Sequence, residues 1–365
     1  MDYQQNWKKI KEIVNSTPMP EASDTLFLFG GGLMGALAVS VLKDELEIIA
    51  VCDNDTEKQN LTIEGLPCIS PQKLSDYKNP FVFISTVKYY PVIHQQLTTM
   101  GVRHCCLDAY VVRQHLAEFE TVFQMLDNES RRVYAGILLC RVSGDVSDAE
   151  KYCCDNQYFC LPKFRYIHNE KGAFVDCGAF VGDTLEEMVK RSLGTAPKLY
   201  AFEPGERAFD ALKKRTSFLC DIWAIEPERI ICEKAGVGEK RGYLSFREYT
   251  TDLAGMSFTD IDTSTKNAGA EIVDLDSYFT EKQEENISFI KADIEGSEWA
   301  MLRGAKGTIQ RCKPKLAICV YHSIYDFFRI PLFLKNLVPE YQFMVRHHGD
   351  WDEETVLYCF ISERK

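Results

Sequence analysis

Asp176, Gly178, Gly182 and Glu203 are the residues whose types and spacing point most directly to chemistry. Phe174 and Val175 read as the end of a buried strand, Asp176, Gly178 and Gly182 as a tight turn after it, and 184–191 as a helix. Glycine suits a turn that needs positive φ angles and close backbone approach to a ligand. A second apolar strand over 198–202 stops at Glu203, since Pro204 prevents it continuing. The turn and the strand-end carboxylate therefore meet at one sheet edge. Backbone at the turn and a carboxylate for ribose hydroxyls suit a nucleoside. NAD and S-adenosylmethionine are both served by that arrangement, and the departure from G-x-G-x-x-G weakens NAD at this position.

A second glycine turn lies near the start of the chain. Residues 26–29 read as a buried strand leading into Gly30, Gly32 and Gly35, which match G-x-G-x-x-G between that strand and a helix over 37–42. A strand over 47–52 ends in Asp53-Asn54-Asp55, an acid at the spacing that a dinucleotide fingerprint requires. A strand at 81–85, a helix at 91–100 and a strand at 103–107 continue the alternation. Residues 1–110 are therefore expected to form a Rossmann-like domain, with Gly30, Gly32, Gly35 and Asp53 as a nucleotide site for NAD or a UDP-sugar. The alternative is a scaffold that keeps its glycines for packing. This stretch resembles the nucleotide-binding-like domains fused to sugar-modifying enzymes, with Ile69-Ser70-Pro71 also in place.

The elements that must position these groups form three regions. Helical periodicity at 116–126 and 130–141 makes 111–170 a helical bridge, with Ser130 or Asp127 as the cap of its second helix. Over 171–365 the βα alternation resumes. A helix at 206–215, a strand at 230–233 before Ala235-Gly236-Val237-Gly238, a hairpin strand at 242–247 and a polar loop over 249–270 follow. A buried strand at 287–292 then runs into Asp293, Glu295, Gly296 and Glu298, and a strand at 316–320 ends in Tyr321-His322. Strands at 342–347 and 355–361 complete the sheet as an antiparallel pair. The fold class expected is α/β with two doubly wound domains.

Composition narrows the function. The 45% hydrophobic and 12% aromatic content mark a folded globular chain, and a net charge of −12 disfavours nucleic acid as a partner. No apolar run reaches membrane-spanning length and no signal pattern opens the chain, so a cytoplasmic protein without a membrane partner is expected. The 14 cysteines sit mostly in apolar runs and none forms C-x-x-C, which reads as reduced, buried thiols.

From 113 to 365 the chain resembles the FkbM family of methyltransferases. The likeness is carried by Asp127-Asn128-Glu129-Ser130-Arg131, Gln157-Tyr158-Phe159, Val175-Asp176-Cys177-Gly178-Ala179, Phe202-Glu203-Pro204, Lys291-Ala292-Asp293-Ile294-Glu295-Gly296 and Tyr321-His322. The resemblance implies a class I methyltransferase sheet, S-adenosyl-L-methionine as cofactor, and O-methylation of a small hydroxylated acceptor, a sugar or nucleotide-linked sugar being the leading candidate. On that basis Asp176, Gly178 and Gly182 border the methionine part of the cofactor and Glu203 holds the ribose. Glu233, or Lys234 beside it, lies at the adenine edge, and Asp293 faces the transfer centre, where it also counts among the cofactor-binding residues.

A general base would contribute about 10²–10⁴-fold. His322 is the leading candidate and Asp293 the second, with a structural histidine as the alternative for His322. His347-His348 could line the acceptor pocket, but ordinary surface is the preferred reading. Asp293, Glu295 and Glu298 invite a Mg²⁺ ion. Carboxylates favoured at a helix start explain them without one, so no metal is expected. The competing functions are a nicotinamide enzyme working through residues 24–110 and a nucleotide-binding scaffold. Oligomeric state, a homo-oligomer included, is left open by the sequence.

Overall fold

The computed structural model describes residues 2–43, 45–165, 167, 171–248, 256–262 and 269–362. It separates into two compact units. The first comprises Met1–Cys153, Tyr321–Arg329 and Val345–Thr355; the second comprises Cys154–Val320, Ile330–Met344 and Val356–Lys365. The stretch expected as a separate bridge over 111–170 is instead divided, because its long helix Asn128–Ser143 packs against the first helix, Asp2–Ser16. That first helix buries Trp7, Ile10 and Val14 on one face, and Trp7 stacks on Phe123 at 4.4 Å.

The first unit carries a six-stranded sheet. Its strands are β1 (Thr25–Phe29), β2 (Ile48–Cys52), β3 (Thr62–Ile63), β4 (Leu66–Ile69), β5 (Pro80–Ile84) and β6 (Arg103–Cys106), in the order β3-β4-β2-β1-β5-β6. The parallel strands β2 and β5 flank β1, so the winding reverses there. Phe27, Phe29, Cys52, Val82 and Ile84 of the sheet pack with Ile93 and Leu97 of the helix Tyr90–Thr99 in one apolar cluster. In the helix Asn128–Ser143, Asp127 is the cap: its Oδ1 accepts the Ser130 N–H at 2.7 Å. Ser130 is buried instead, its hydroxyl accepting the Val345 N–H at 3.0 Å.

The second unit is built on a seven-stranded sheet and a smaller one. In chain order the strands are β7 (Ala173–Cys177), β8 (Leu199–Phe202), β9 (Ile230–Glu233), β10 (Ala235–Val237), β11 (Gly242–Glu248), β12 (Met256–Asp262), β13 (Gly269–Val273), β14 (Ile287–Ala292), β15 (Lys315–Cys319), β16 (Gln342–His347) and β17 (Thr355–Phe360). The large sheet runs β16-β17-β15-β14-β7-β8-β9, with β14, β15, β8 and β9 parallel to β7 and β17 antiparallel to β15. Winding goes one way from β7 through β8 to β9 and the other way to β14, which puts the switch point between β7 and β14.

Residues 235–237 form β10, parallel to β13. The stretch expected as a polar loop over 249–270 contains β12, which pairs antiparallel with β11. Isoleucine, phenylalanine and threonine within 256–262 favour extended backbone despite the polar context. Residues 249–255 and 263–268 lie outside the described residues. The helix Glu206–Trp223 also runs well past Arg215, as no breaker intervenes before Ala224 takes a left-handed φ of 50°.

Candidate active site

Strand register brings the predicted site residues of the second unit to one edge. Cys177 faces Phe202 on one side and Ala292 on the other, so β7, β8 and β14 end level. The residues that follow keep the ladder going. Asp293 donates its N–H to Cys177 O at 3.1 Å, Gly178 to Phe202 O at 3.0 Å, and Glu203 to Glu233 O at 3.1 Å. Gly178, Glu203 and Asp293 are thus brought together by backbone pairing, before any side chain acts.

The turn after β7 is held from β8. Phe180, at φ +46°, donates its N–H to Glu203 Oε2 at 2.8 Å, and Gly205 donates to Oε1 at 2.7 Å. Gly178 has φ +79°, and a Cβ there would lie 1.9 Å from Asp293 O, so only glycine fits between the two strand ends. Burial raises the Glu203 pKa, while the Gly205 and Phe180 amides oppose the rise. A carboxylate oxygen accepting one amide keeps a further lone pair, so Glu203 can both clamp the turn and bind a hydroxyl.

Beneath the turn lies a buried ion pair. Asp176 Oδ1 is 3.1 Å from Lys291 Nζ, and the ammonium also donates to Gly178 O at 2.7 Å. Both side chains are almost wholly shielded from solvent, and Asp176 Oδ2 has no hydrogen-bond partner among the described residues. Burial pushes the Asp176 carboxyl up to about 6 although Lys291 pulls it down. Burial works against the Lys291 charge, but Asp176 outweighs it and holds that pKa above its ordinary value. The glycine cradle, the orphaned buried oxygen and the ribose-ready carboxylate fit an adenosyl amino-acid cofactor.

Asp293 is bonded to a residue that sequence reasoning had not placed in the site: Tyr158 donates its phenolic hydroxyl to Asp293 Oδ2 at 2.8 Å. Glu233 Oε1 accepts the Tyr278 hydroxyl at 2.7 Å and pairs with Lys282 at 3.1 Å, with its side chain about one-third exposed (31%). Lys234 pairs instead with Glu206 at 3.3 Å. Glu298 is fully buried, and its Oε1 accepts the Ile294 N–H at 2.8 Å, closing the turn through Glu295 (φ +54°) and Gly296.

Among the histidines, the structure places His322 in the first unit, 3% exposed. It lines a cavity with Ser85, Asp108, Arg141 and the apolar face of the helix Leu33–Leu42. Arg141 fixes that segment, donating to Tyr321 O at 2.8 Å and to Asp108 Oδ2 at 2.7 Å. His347 is not surface: it is fully buried, with Nδ1 2.9 Å from Thr355 Oγ1, and burial lowers its pKa to about 4. An apolar strand with alternate positions inward carries it there.

In the first unit, Gly35 sits where a Cβ would lie 1.7 Å from Gly30 O, which is a packing requirement. Asp53 turns back on its own neighbourhood. Its Oδ2 accepts the Gly31 N–H at 2.6 Å, its Oδ1 the Asp55 N–H at 2.8 Å, and Lys58 stands 3.5 Å away. Gly32 caps the following helix without a side-chain bond.

Comparison with known proteins bears on both units. Residues 176–350 match the methyltransferase FkbM domain, and residues 23–105 match a family described as C2185-like, N-terminal. A crystal structure of methyltransferase FkbM from Methylobacillus flagellatus aligns over 98% of this chain and 100% of its own, with a TM-score of 0.57 and 20% identity. A putative methyltransferase from Streptococcus mutans, solved in complex with SAH, aligns over 52% of this chain and 88% of its own, with a TM-score of 0.31 and 14% identity. No curated protein matches the chain. Among the described residues, no helix is long and apolar enough to cross a membrane.

Proposed function

We propose that this chain, whose residues 176–350 match the methyltransferase FkbM domain, is an S-adenosylmethionine-dependent methyltransferase that methylates a hydroxyl of a small metabolite, a sugar or nucleotide-linked sugar. The observation that carries the reading is the clamp between the glycine turn and Glu203, which holds a carboxylate with lone pairs to spare against the turn that follows β7. The cofactor supplies an electrophilic methyl on a sulfonium, so the protein's work is to place an acceptor oxygen in line with it and to receive a proton. Asp176, Gly178 and Gly182 border the methionine part, Glu203 holds the ribose and Glu233 the adenine edge. Asp293 stands at the end of β14, where it borders the cofactor and orients the acceptor hydroxyl. His322 stays the first candidate to receive the proton and Asp293 the second, the His322 segment being fixed by Arg141.

Calorimetric titration of S-adenosylhomocysteine into wild type and Glu203→Gln tests the assignment, with melting curves as the control for folding. Saturable binding in wild type, weakened about tenfold or more in the variant, is expected from loss of a charged hydrogen-bond acceptor. Equal affinity in both would remove Glu203 from the ribose site. No binding in wild type, with NAD or a UDP-sugar binding instead, would overturn the reading. A second nucleotide at Gly30, Gly32, Gly35 and Asp53 ranks behind: Asp53 accepts two backbone amides as Glu203 does, but it also pairs with Lys58 at 3.5 Å.

A further inference from the structure

We propose that Tyr158 is a positioning residue of the methyl-transfer site, its phenol fixing the orientation of the Asp293 carboxylate. The inference rests on the role given to Asp293 above. Tyr158 precedes Asp293 by 135 positions and lies outside the span 176–350 that matches the methyltransferase family. Its hydroxyl accepts from Gln157 Nε2 at 3.1 Å while donating to Asp293 Oδ2 at 2.8 Å, so the phenolic proton is directed at the carboxylate.

The backbone shows the same purpose. Tyr158 has φ +64°, a left-handed conformation that is costly for a bulky residue and persists only where its surroundings impose it. What imposes it is a bond from the Tyr158 N–H to the Tyr358 hydroxyl at 2.9 Å, anchoring the residue to strand β17. The ring then covers Lys291, whose ammonium lies 5.2 Å from the ring centroid and is the partner of Asp176. One side chain therefore reaches both carboxylates that border the site, one directly and one through the lysine. A tyrosine with only a packing role would need neither the directed hydroxyl nor the left-handed backbone.

The test is a double-mutant cycle on S-adenosylhomocysteine affinity, read by calorimetry in the full chain, with Tyr158→Phe, Asp293→Asn and the pair. Phenylalanine keeps the ring over Lys291 and the same backbone demand, and removes only the hydroxyl. Tyr158→Phe is expected to weaken binding about tenfold, as a hydrogen bond to a charged group is lost. In the pair the loss should stay within about twofold of Asp293→Asn alone, because the hydroxyl acts through that carboxylate. Additive losses would overturn the proposal. Tyr358→Phe releases the Tyr158 N–H that holds the phenol in place, so it should weaken binding in the same direction. That loss should shrink to within about twofold once Asp293→Asn is present, and a loss that stays fully additive there would also overturn the proposal. Failure of wild type to bind would instead remove the site reading, and this inference with it.

Discussion

Replacing Lys291 with methionine isolates the electrostatics beneath the glycine turn. The substitution keeps an unbranched side chain of similar length and deletes the ammonium that lies 3.1 Å from Asp176 and 2.7 Å from Gly178 O. Removing one member of a buried pair commonly costs about 3–5 kcal/mol, because the other charge is stranded. Asp176 has an escape, which is to take up a proton. In wild type its folded pKa is already raised to about 6 from an ordinary 3.8, and without Lys291 it must go higher.

A raised carboxyl pKa means that the native state holds a proton the unfolded chain has released, so stability falls as pH rises from the unfolded value to the folded one. For wild type that fall ends near pH 6; for the variant it continues. The stability gap should therefore open at about pH 6 and widen by about 1.4 kcal/mol per pH unit, reaching about 3 kcal/mol at about pH 8. Urea unfolding of both proteins across this range measures it. A gap that does not change with pH, or one below about 1 kcal/mol at about pH 8, would refute the account of the pair.

Two further outcomes follow from the geometry. Gly178→Ala would place a Cβ 1.9 Å from Asp293 O at a φ of +79°, so it should cost at least about 2 kcal/mol and abolish S-adenosylhomocysteine binding, measured by melting and calorimetry. Asp127→Ala removes the cap bonded to the Ser130 N–H and should lower stability by about 1 kcal/mol, seen as a shifted urea midpoint with an unchanged slope.

What could be read from the sequence was local. The turn from Asp176 to Gly182 and the arrest of β8 at Glu203 are written in glycines, a proline and apolar runs a few residues long, so both could be placed before the structure was seen. The partners of those residues were not legible. Lys291 meets Asp176 because β14 inserts beside β7, with β8 to β13 between them in the chain. A lysine inside an apolar run gives no sign of which carboxylate it will face. Tyr158 was visible as part of a motif, but its left-handed backbone and its reach to Asp293 depend on Tyr358 near the far end of the chain. Asp53 shows the same limit from the other side: its spacing from the glycines was legible, but its bonds to the Gly31 and Asp55 amides and its pairing with Lys58 were not, because spacing does not specify side-chain direction.

The way the chain is shared between the two units bears on how the protein is made. The first unit takes in Tyr321–Arg329 and Val345–Thr355. Its buried Arg141 and Ser130 bond to Tyr321 O and the Val345 N–H, both from those late segments. During synthesis the front sheet can form early, but these buried polar groups must wait, hydrated or chaperoned, until residues 321–355 have left the ribosome. Nascent-chain folding commonly proceeds from the N-terminus onward; here the first unit is expected to be completed only when the segments 321–329 and 345–355 arrive. Amide exchange of the helix Asn128–Ser143 on stalled chains, with and without residues 321–355, would reveal that delay.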